Sequence, residues 1–457
     1  MKSMRKILTI ILMFLLCTAQ VSAYDLVMPK DKKSITNNNY AFFFGRAKNT
    51  EHISVNGEHV PLASNGAFAF TVKLKDGENR IALKSNYTTR IYKIYKNPRG
   101  ENIKPQTVEF EPRQVAVLKD NTPFRSTPED FGMNRMSHLF EGTNLIVNGE
   151  NNGFYRVYLT EKKCGWIAKD AVIDSEPPKE APRFVTMEGK MFKNASINTI
   201  EFSDKLPYTI EENPKEIIFK VYNPYASENS VYTVTIKKFS KYTYKTTLAG
   251  GVYVVKVSAL PVPENPNLEG INIIVDAGHG GSENGAIGCL GDKEKDINLA
   301  IASELKDILT QMGACVFMTR ECDGTVELAE RVKFARENCA NIFVSIHLNS
   351  IPDKPMNIHK NRGTSVYYYN PNSEALARSV QDAVTSALGT RDDGVRTASF
   401  AVIRPTDYVG ILVETAYMTN PLDSVIYKSD SFARDAAKGI ADGILNYVTN
   451  PCNVRNK

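Results

Sequence analysis

Ile271-Asn-Ile-Ile-Val-Asp-Ala-Gly-His-Gly-Gly281 decides how this chain folds. It opens as an unbroken apolar run, stops at Asp276, and turns on glycines that present His279. Such a run bounded by turn residues predicts a strand buried on both faces, as in parallel sheets. A histidine just past the carboxyl end of that strand stands where open α/β sheets place their chemistry. Taken alone, His-Gly-Gly is more often a plain turn than a ligand. Two later stretches change that balance.

Gly291-Asp-Lys-Glu-Lys-Asp296 opens a helix on which Ile297, Ile301, Leu305, Ile308 and Met312 recur at helical spacing, with Gly313 as its stop. Glu294 falls in the first turn, close to the His279 turn, so both can face one point. Asn341-Ile-Phe-Val-Ser-Ile-His347 is a second buried strand ending in histidine. Two histidines and a carboxylate form the ligand set of a catalytic zinc site with one open position. Gly410-Ile-Leu-Val-Glu414 is a third apolar strand, and its terminal carboxylate offers the base that a water on such a metal needs.

The αβ rhythm continues between these pieces. Ala314 to Thr319 reads as a strand, followed by a helix with Thr325 as N-cap and Leu328, Val332 and Ala335 inward. Ser350 to Arg362 is a polar loop beside the proposed metal and reads as a lid. His359 within it is a solvated loop histidine by default, or an extra ligand. Gly363 to Tyr369 is a strand. Ser373 then caps a helix with Leu376, Val380, Ala383, Val384 and Leu388 inward, ended by Gly389. A last helix, about 431–448, buries Phe432, Ala436, Ile440 and Ile444. Strands alternating with helices of this length predict a mostly parallel, doubly wound sheet.

Val275-Asp-Ala-Gly-His-Gly-Gly281, Gly285-Ala-Ile-Gly288, Glu294-Lys-Asp-Ile-Asn-Leu299, Thr319-Arg320, Ser345-Ile-His-Leu-Asn349, Gly363-Thr364, Val413-Glu414 and Thr419-Asn420 follow one another in a familiar order. Over roughly residues 271–449 the chain resembles the zinc-dependent N-acetylmuramoyl-L-alanine amidases, which cut bacterial cell wall. The resemblance implies zinc on His279, Glu294 and His347, with Glu414 catalytic. It also implies cleavage of the amide between the lactyl group of N-acetylmuramic acid and L-alanine in peptidoglycan. Asn349 would orient substrate or support a ligand. Arg396 and Arg404, near the last strand, would pair with substrate carboxylates or be ordinary surface charges. Two departures touch loop shape rather than ligands: Tyr408-Val-Gly410 stands where the family usually has a proline, and Ala416 where a glycine is common. Two rival readings remain. A catalytically dead wall-binding or activating member would be marked by loss of Glu414 or a ligand, and all four are present. Another zinc hydrolase of wall peptides would share the ligands and differ in product.

Upstream, residues 1–23 read as a secretory signal peptide: Lys2, Arg5 and Lys6, then an apolar run from Ile7 to Cys17, then Val21-Ser-Ala23. An acylated Cys17 is the alternative, but Leu15-Leu16 before it lacks the usual small residues. The expected product is exported, to the periplasm or to the cell wall and medium, without stable membrane insertion. Residues 24–97 read as an immunoglobulin-like β domain, with Asn56-Gly57 as a hairpin turn. Residues 107–174 resemble a bacterial SH3-like module, and 183–260 a β-rich targeting domain, with prolines at 177, 178, 182, 261, 263 and 266 between units. At 457 residues, three or four domains fit. A net charge of +5 suits an anionic wall polymer but equally an ordinary solvated surface. The lack of basic clusters interleaved with aromatics argues against nucleic acid. Beyond Cys17, the six cysteines contain no Cys-x-x-Cys pair, so a structural zinc knuckle is not expected. Export permits disulfides, while isolated thiols are the plainer alternative.

Overall fold

The buried apolar runs of the carboxyl-terminal region line up as one six-stranded sheet in a computed structural model. The structure describes residues 24–48, 52–86, 88–98, 106–226, 230–351, 355 and 357–450. The signal-peptide reading falls on residues 1–23 and lies outside them. Numbering the strands of this carboxyl-terminal region, β1 is Asn272–Ala277, β2 Cys315–Met318, β3 Ile342–Asn349, β4 Thr364–Tyr368, β5 Asp392–Thr397 and β6 Val409–Tyr417. Their order is β2-β1-β3-β6-β4-β5. All neighbours are parallel except β4, which runs antiparallel to β6. Ile273–Val275, Ile342–Val344 and Val409–Val413 are buried at every position, as strands covered on both faces must be.

Helices cover both faces. With α1 Glu294–Gln311, α2 Leu328–Glu337, α3 Glu374–Leu388, α4 Pro421–Tyr427 and α5 Phe432–Thr449, the side chains of α1, α3 and α5 form one core with Ile273, Val344 and Val413. The opposite face packs Ile274, Phe343 and Leu412 against Ala335 of α2 and against Val402 and Ile403 of a short 3-10 turn. Helices α3 and α5 meet closely. A Cβ at Gly439 would lie 2.7 Å from Val384 Cα, and one at Gly443 2.6 Å from Val380 Cα, so alanine at either would push the helices apart.

Several local expectations shift. On α1 the most buried positions include Asn298, Ala302 and Leu309, while Ile297, Ile308 and Met312 sit at the edge of the core. The N-cap of helix α2 is Glu327 rather than Thr325, and Glu330 accepts from the Glu327 amide at 3.2 Å. Its inward residues are Arg331 and Ala335, and Leu328 is exposed. Ser373 precedes α3 but does not cap it. Its hydroxyl donates to Asn372 Oδ1 and accepts from the Gly410 amide, which ties the helix start to β6. Gly389 ends α3 at φ 60°, as glycine should.

The described residues before 260 are β-structure apart from two short 3-10 turns. Residues 24–96 form a three-stranded and a five-stranded sheet, and the Asn56-Gly57 turn has φ 47° and 91°, the doubly positive geometry of a tight hairpin. Residues 108–174 form a seven-stranded sheet, and 184–259 a four-stranded and a three-stranded one. These last two segments are not separate at their interiors. Leu145, Val157 and Ile167 from one share a single core with Ile200, Phe219 and Tyr253 from the other. Tyr208 donates its hydroxyl to the His138 carbonyl, and Ser137 returns a bond to the Tyr208 carbonyl, each at 2.6 Å. A small β module buries too little surface by itself, and fusing two interiors remedies that.

The first module rests on the carboxyl-terminal α/β region. Phe44, Ala67 and Ala69 pack with Cys289, Leu290 and Leu422, and Asn65 Nδ2 donates to Ser424 Oγ at 3.1 Å. Among the described residues, Cys164, Cys289, Cys315, Cys322 and Cys339 are free thiols, and no helix is long and apolar enough to cross a membrane.

Candidate metal centre

The carboxyl ends of β1 and β3 and the start of α1 converge on one point. His279, Glu294 and His347 each offer a ligand atom, all within 4.8 Å of one another. Glu294 is buried and lies between the imidazoles: Oε1 is 2.9 Å from His347 Nδ1, and Oε2 is 3.3 Å from His279 Nε2. Its oxygens also accept from the Leu348 amide at 3.2 Å, the Ala286 amide at 2.7 Å and Asn298 Nδ2 at 3.4 Å. Burial pushes the Glu294 carboxyl up, but the hydrogen bonds and charges of the two histidines outweigh it and hold the group well below the usual carboxylate range. Burial would lower His279, and the bond to Glu294 reverses the sign and raises it.

The turn that presents His279 is strained and heavily braced. His279 sits at φ 59°, a left-handed conformation uncommon outside glycine and costing on the order of 1–3 kcal/mol. Two buried arginines hold it. Arg320 donates to the carbonyls of Ala277 at 2.9 Å and Gly278 at 3.0 Å. Arg331 donates to the Ala277 and His279 carbonyls, each at 2.9 Å, and pairs with buried Asp276 at 2.5 Å. Asp276 also accepts from Thr319 and Ser345 hydroxyls at 2.6 Å. On the outer side, Asp323 accepts from the Gly281 amide at 2.7 Å and pairs with Lys295 at 2.6 Å. Thr325, freed from capping, accepts from the Ser282 amide and donates to the Gly280 carbonyl.

Glu414 stands in register with His347 across the β3–β6 pair, so their side chains emerge next to each other. The residue as a whole is only half-buried, yet its Oε2 is shut from solvent with no partner among the described residues. Burial, and then the charge of Glu294, push its carboxyl well above the usual range.

The donors fit a zinc ion. Two imidazole nitrogens and a carboxylate suit that metal, and glycine keeps the space clear. A Cβ at Gly278 would lie 2.3 Å from His347 Nε2, and one at Gly285 2.5 Å from Glu294 Oε2.

Other anticipated residues lie elsewhere. Asn349 is at the rim, where its Oδ1 accepts from the Ser350 amide at 2.8 Å. Arg396 pairs with Asp393 at 2.7 Å on the edge strand β5. Arg404 is not brought to this point. Tyr368, at the end of β4, pairs with Ile411, three residues before Glu414, and Arg404 precedes β6 at that opposite end of the sheet, bonded to Ser399. His359 is exposed and outside the cluster. Of the loop read as a lid, residues 352–354 and 356 lie outside the described residues. The part from 357 to 361 is pinned by Asn420 Nδ2, which donates to the Ile358 and Asn361 carbonyls.

Arg320, Arg331, Lys295, Asp323 and Asn298 are participants to which the sequence reading assigned no role. Asn298 was findable, since it lies one turn after Glu294 on the same helix face. Arg331 was masked by a helix pattern read from its apolar residues.

A parallel-centred α/β sheet that brings two imidazoles and two carboxylates together from three strand ends and a helix start has the make-up of a hydrolase site. Residues 273–446 match the family described as N-acetylmuramoyl-L-alanine amidase. The chain is 38% identical over 184 residues to uncharacterized protein YqiI of Bacillus subtilis, covering 39% of this chain and 86% of that one. With the germination-specific N-acetylmuramoyl-L-alanine amidase of the same organism it shares 32% over 200 residues, 40% of this chain and 81% of the relative. With the N-acetylmuramoyl-L-alanine amidase LytC of Bacillus subtilis it shares 38% over 188 residues, 40% of this chain but only 36% of the relative. This chain belongs to the N-acetylmuramoyl-L-alanine amidase family.

Proposed function

We propose that this chain hydrolyses the amide between the lactyl group of N-acetylmuramic acid and L-alanine in peptidoglycan, with zinc held by His279, Glu294 and His347. The observation that carries this reading is the convergence of those three donors beside a Glu414 oxygen that has no partner among the described residues. Bound zinc would supply a Lewis acid for the scissile carbonyl and lower the pKa of the attacking water.

The remaining work falls to side chains. Ionised Glu414 takes the proton of the attacking water, and its raised pKa makes it a stronger base than an exposed glutamate. The same carboxyl, once protonated, returns the proton to the leaving amine of L-alanine. Asn298, the Leu348 amide and the Ala286 amide fix the Glu294 carboxylate, while Arg320 and Arg331 fix the carbonyls around His279. Asn349 stands at the rim, where it can meet the substrate. Of the two arginines considered for pairing with substrate carboxylates, Arg396 is the nearer to the centre, and Arg404 is too far round the sheet for it.

The β-structure from 24 to 260 carries no comparable constellation among its described residues. Its role in this reading is to concentrate the enzyme on its polymer after export. Digestion of purified peptidoglycan by the full chain with zinc should release new L-alanine amino termini. Products with other new amino termini, or none, would overturn the reaction assigned.

A further inference from the structure

Where the sheet of residues 108–174 meets the catalytic domain, three arginines gather near one exposed carboxylate. Arg125 and Arg135 are direct partners across neighbouring antiparallel strands, a placement in which like charges repel. Arg125 is accounted for: it pairs with Asp130 at 2.5 Å and donates to Asn134 Oδ1 and the Phe131 carbonyl. Arg135 is not. Its Nη1 donates to Ser399 Oγ at 3.0 Å, and its buried Nε has no partner among the described residues.

Arg404 arrives from the catalytic side and sends Nη1 to the Ser399 carbonyl at 2.9 Å and to the same Oγ at 3.2 Å. Two guanidiniums from two parts of the chain therefore share one neutral hydroxyl. Neighbouring Arg336 is matched by Asp407 at 2.8 Å, but neither Arg135 nor Arg404 has a carboxylate partner among the described residues. Burial, and then the other arginines, lower the pKa of Arg135. Burial, followed by the charges of Arg135 and Arg404, also brings His138 down to about 4, so it adds no charge at neutral pH.

Two half-buried cations held together without an anion leave a favourable charge-assisted interaction unmade. Guanidinium pairs answer to planar or tetrahedral oxyanions, which they grip through several N–H donors at once. The seam is open to such a ligand, because Phe131 and Phe400 beside it are exposed.

We propose that Arg135 and Arg404 form a binding site for an oxyanion, carboxylate or phosphate, in the seam between the 108–174 sheet and the catalytic domain. The site lies at the end of the sheet away from Glu414, so it is a second point of contact and does not depend on the hydrolytic reading. A peptide carboxyl terminus and a phosphate-bearing polymer present the same chemistry to it.

Titration calorimetry on the full chain at fixed ionic strength separates these sources, with inorganic phosphate, N-acetylalanine and N-acetylalaninamide as probes in chloride buffer. One saturable site is expected for phosphate, for N-acetylalanine, or for both, and none for the amide. Affinity should fall about tenfold or more in Arg135→Gln and in Arg404→Gln, and stay unchanged in Arg336→Gln. Binding of phosphate alone identifies a phosphate ligand, and binding of N-acetylalanine alone a carboxylate. Ser399→Asp provides a check of opposite sign, since it builds an anion between the two arginines. It should raise Tm in the absence of ligand and abolish binding. Failure of both anions to saturate, unchanged affinity in the two glutamine variants, or intact binding in Ser399→Asp would each overturn the site.

Discussion

Replacing Arg331 by methionine removes a side chain that does four things at once: it neutralises Asp276 and donates to the Val326, Ala277 and His279 carbonyls. Both members of the ion pair are buried, so the variant leaves a carboxylate without its counter-charge. Breaking a buried pair in this way costs about 3–5 kcal/mol. A second effect is local. His279 holds its left-handed backbone only because its surroundings over-determine it, and losing one clamp lets the turn relax away from Glu294. Loss of a group that orients a metal ligand lowers metal affinity by about 10–100-fold. The two effects separate in Arg331→Met combined with Asp276→Asn, which removes the stranded charge but not the loose carbonyls. Stability should recover in part, and zinc affinity should not. Urea unfolding of metal-free protein followed by far-UV circular dichroism gives the first quantity, because among the described residues every α-helix lies in the catalytic domain. Competition with a zinc chelator gives the second. A folded Arg331→Met protein with unaltered unfolding midpoint and unaltered zinc affinity would refute the claim that this arginine organises the turn.

Other outcomes follow from the same geometry. Glu414→Gln keeps size but cannot accept a proton, so wall hydrolysis should drop by about 10²–10⁴-fold while zinc content by atomic absorption stays full; loss of the zinc would instead make Glu414 a ligand. His279→Ala should lose zinc and activity together, and full occupancy in that variant would remove His279 from the ligand set. His138, held near a pKa of about 4 by burial and then by Arg135, Arg404 and Arg125, stays neutral in the fold while the unfolded chain takes up a proton near pH 6.5. Its contribution to stability is therefore present above about pH 6.5 and is lost as pH falls toward 4. The Tm of His138→Gln should depend less on pH across that window than the parent's, and parallel curves would exclude His138 as the cause.

The sequence disclosed the parts of this molecule whose signals are local. Asn56-Gly57 and Gly389 must adopt positive φ, and they do so where expected. The apolar runs before His279, His347 and Glu414 had no alternative to a covered sheet, and strand ends are where such sheets gather function. What remained hidden depends on partners far along the chain. Thr325 looked like a cap because it is the right residue type at a helix start, but the His279 loop, over forty residues upstream, claims its hydroxyl. Arg331 is charged and was not expected inward, because helix periodicity counts apolar positions and cannot see a buried Asp276 waiting opposite. Arg404 was placed by its nearness in sequence to β6, and the antiparallel entry of β4 sets which end of the sheet it occupies. The prolines at 177 and 178 suggested a boundary, although the interiors on either side are joined.

That joint interior sets the size of the smallest portable piece. Residues 108–174 excised at the double proline would present to water the faces of Leu145, Val157 and Ile167 that now meet Ile200, Phe219 and Tyr253. A fusion protein built to borrow this region for another enzyme would have to carry residues 108–260 as one cassette. Half of it would arrive as an adhesive, aggregation-prone surface rather than as a binding unit.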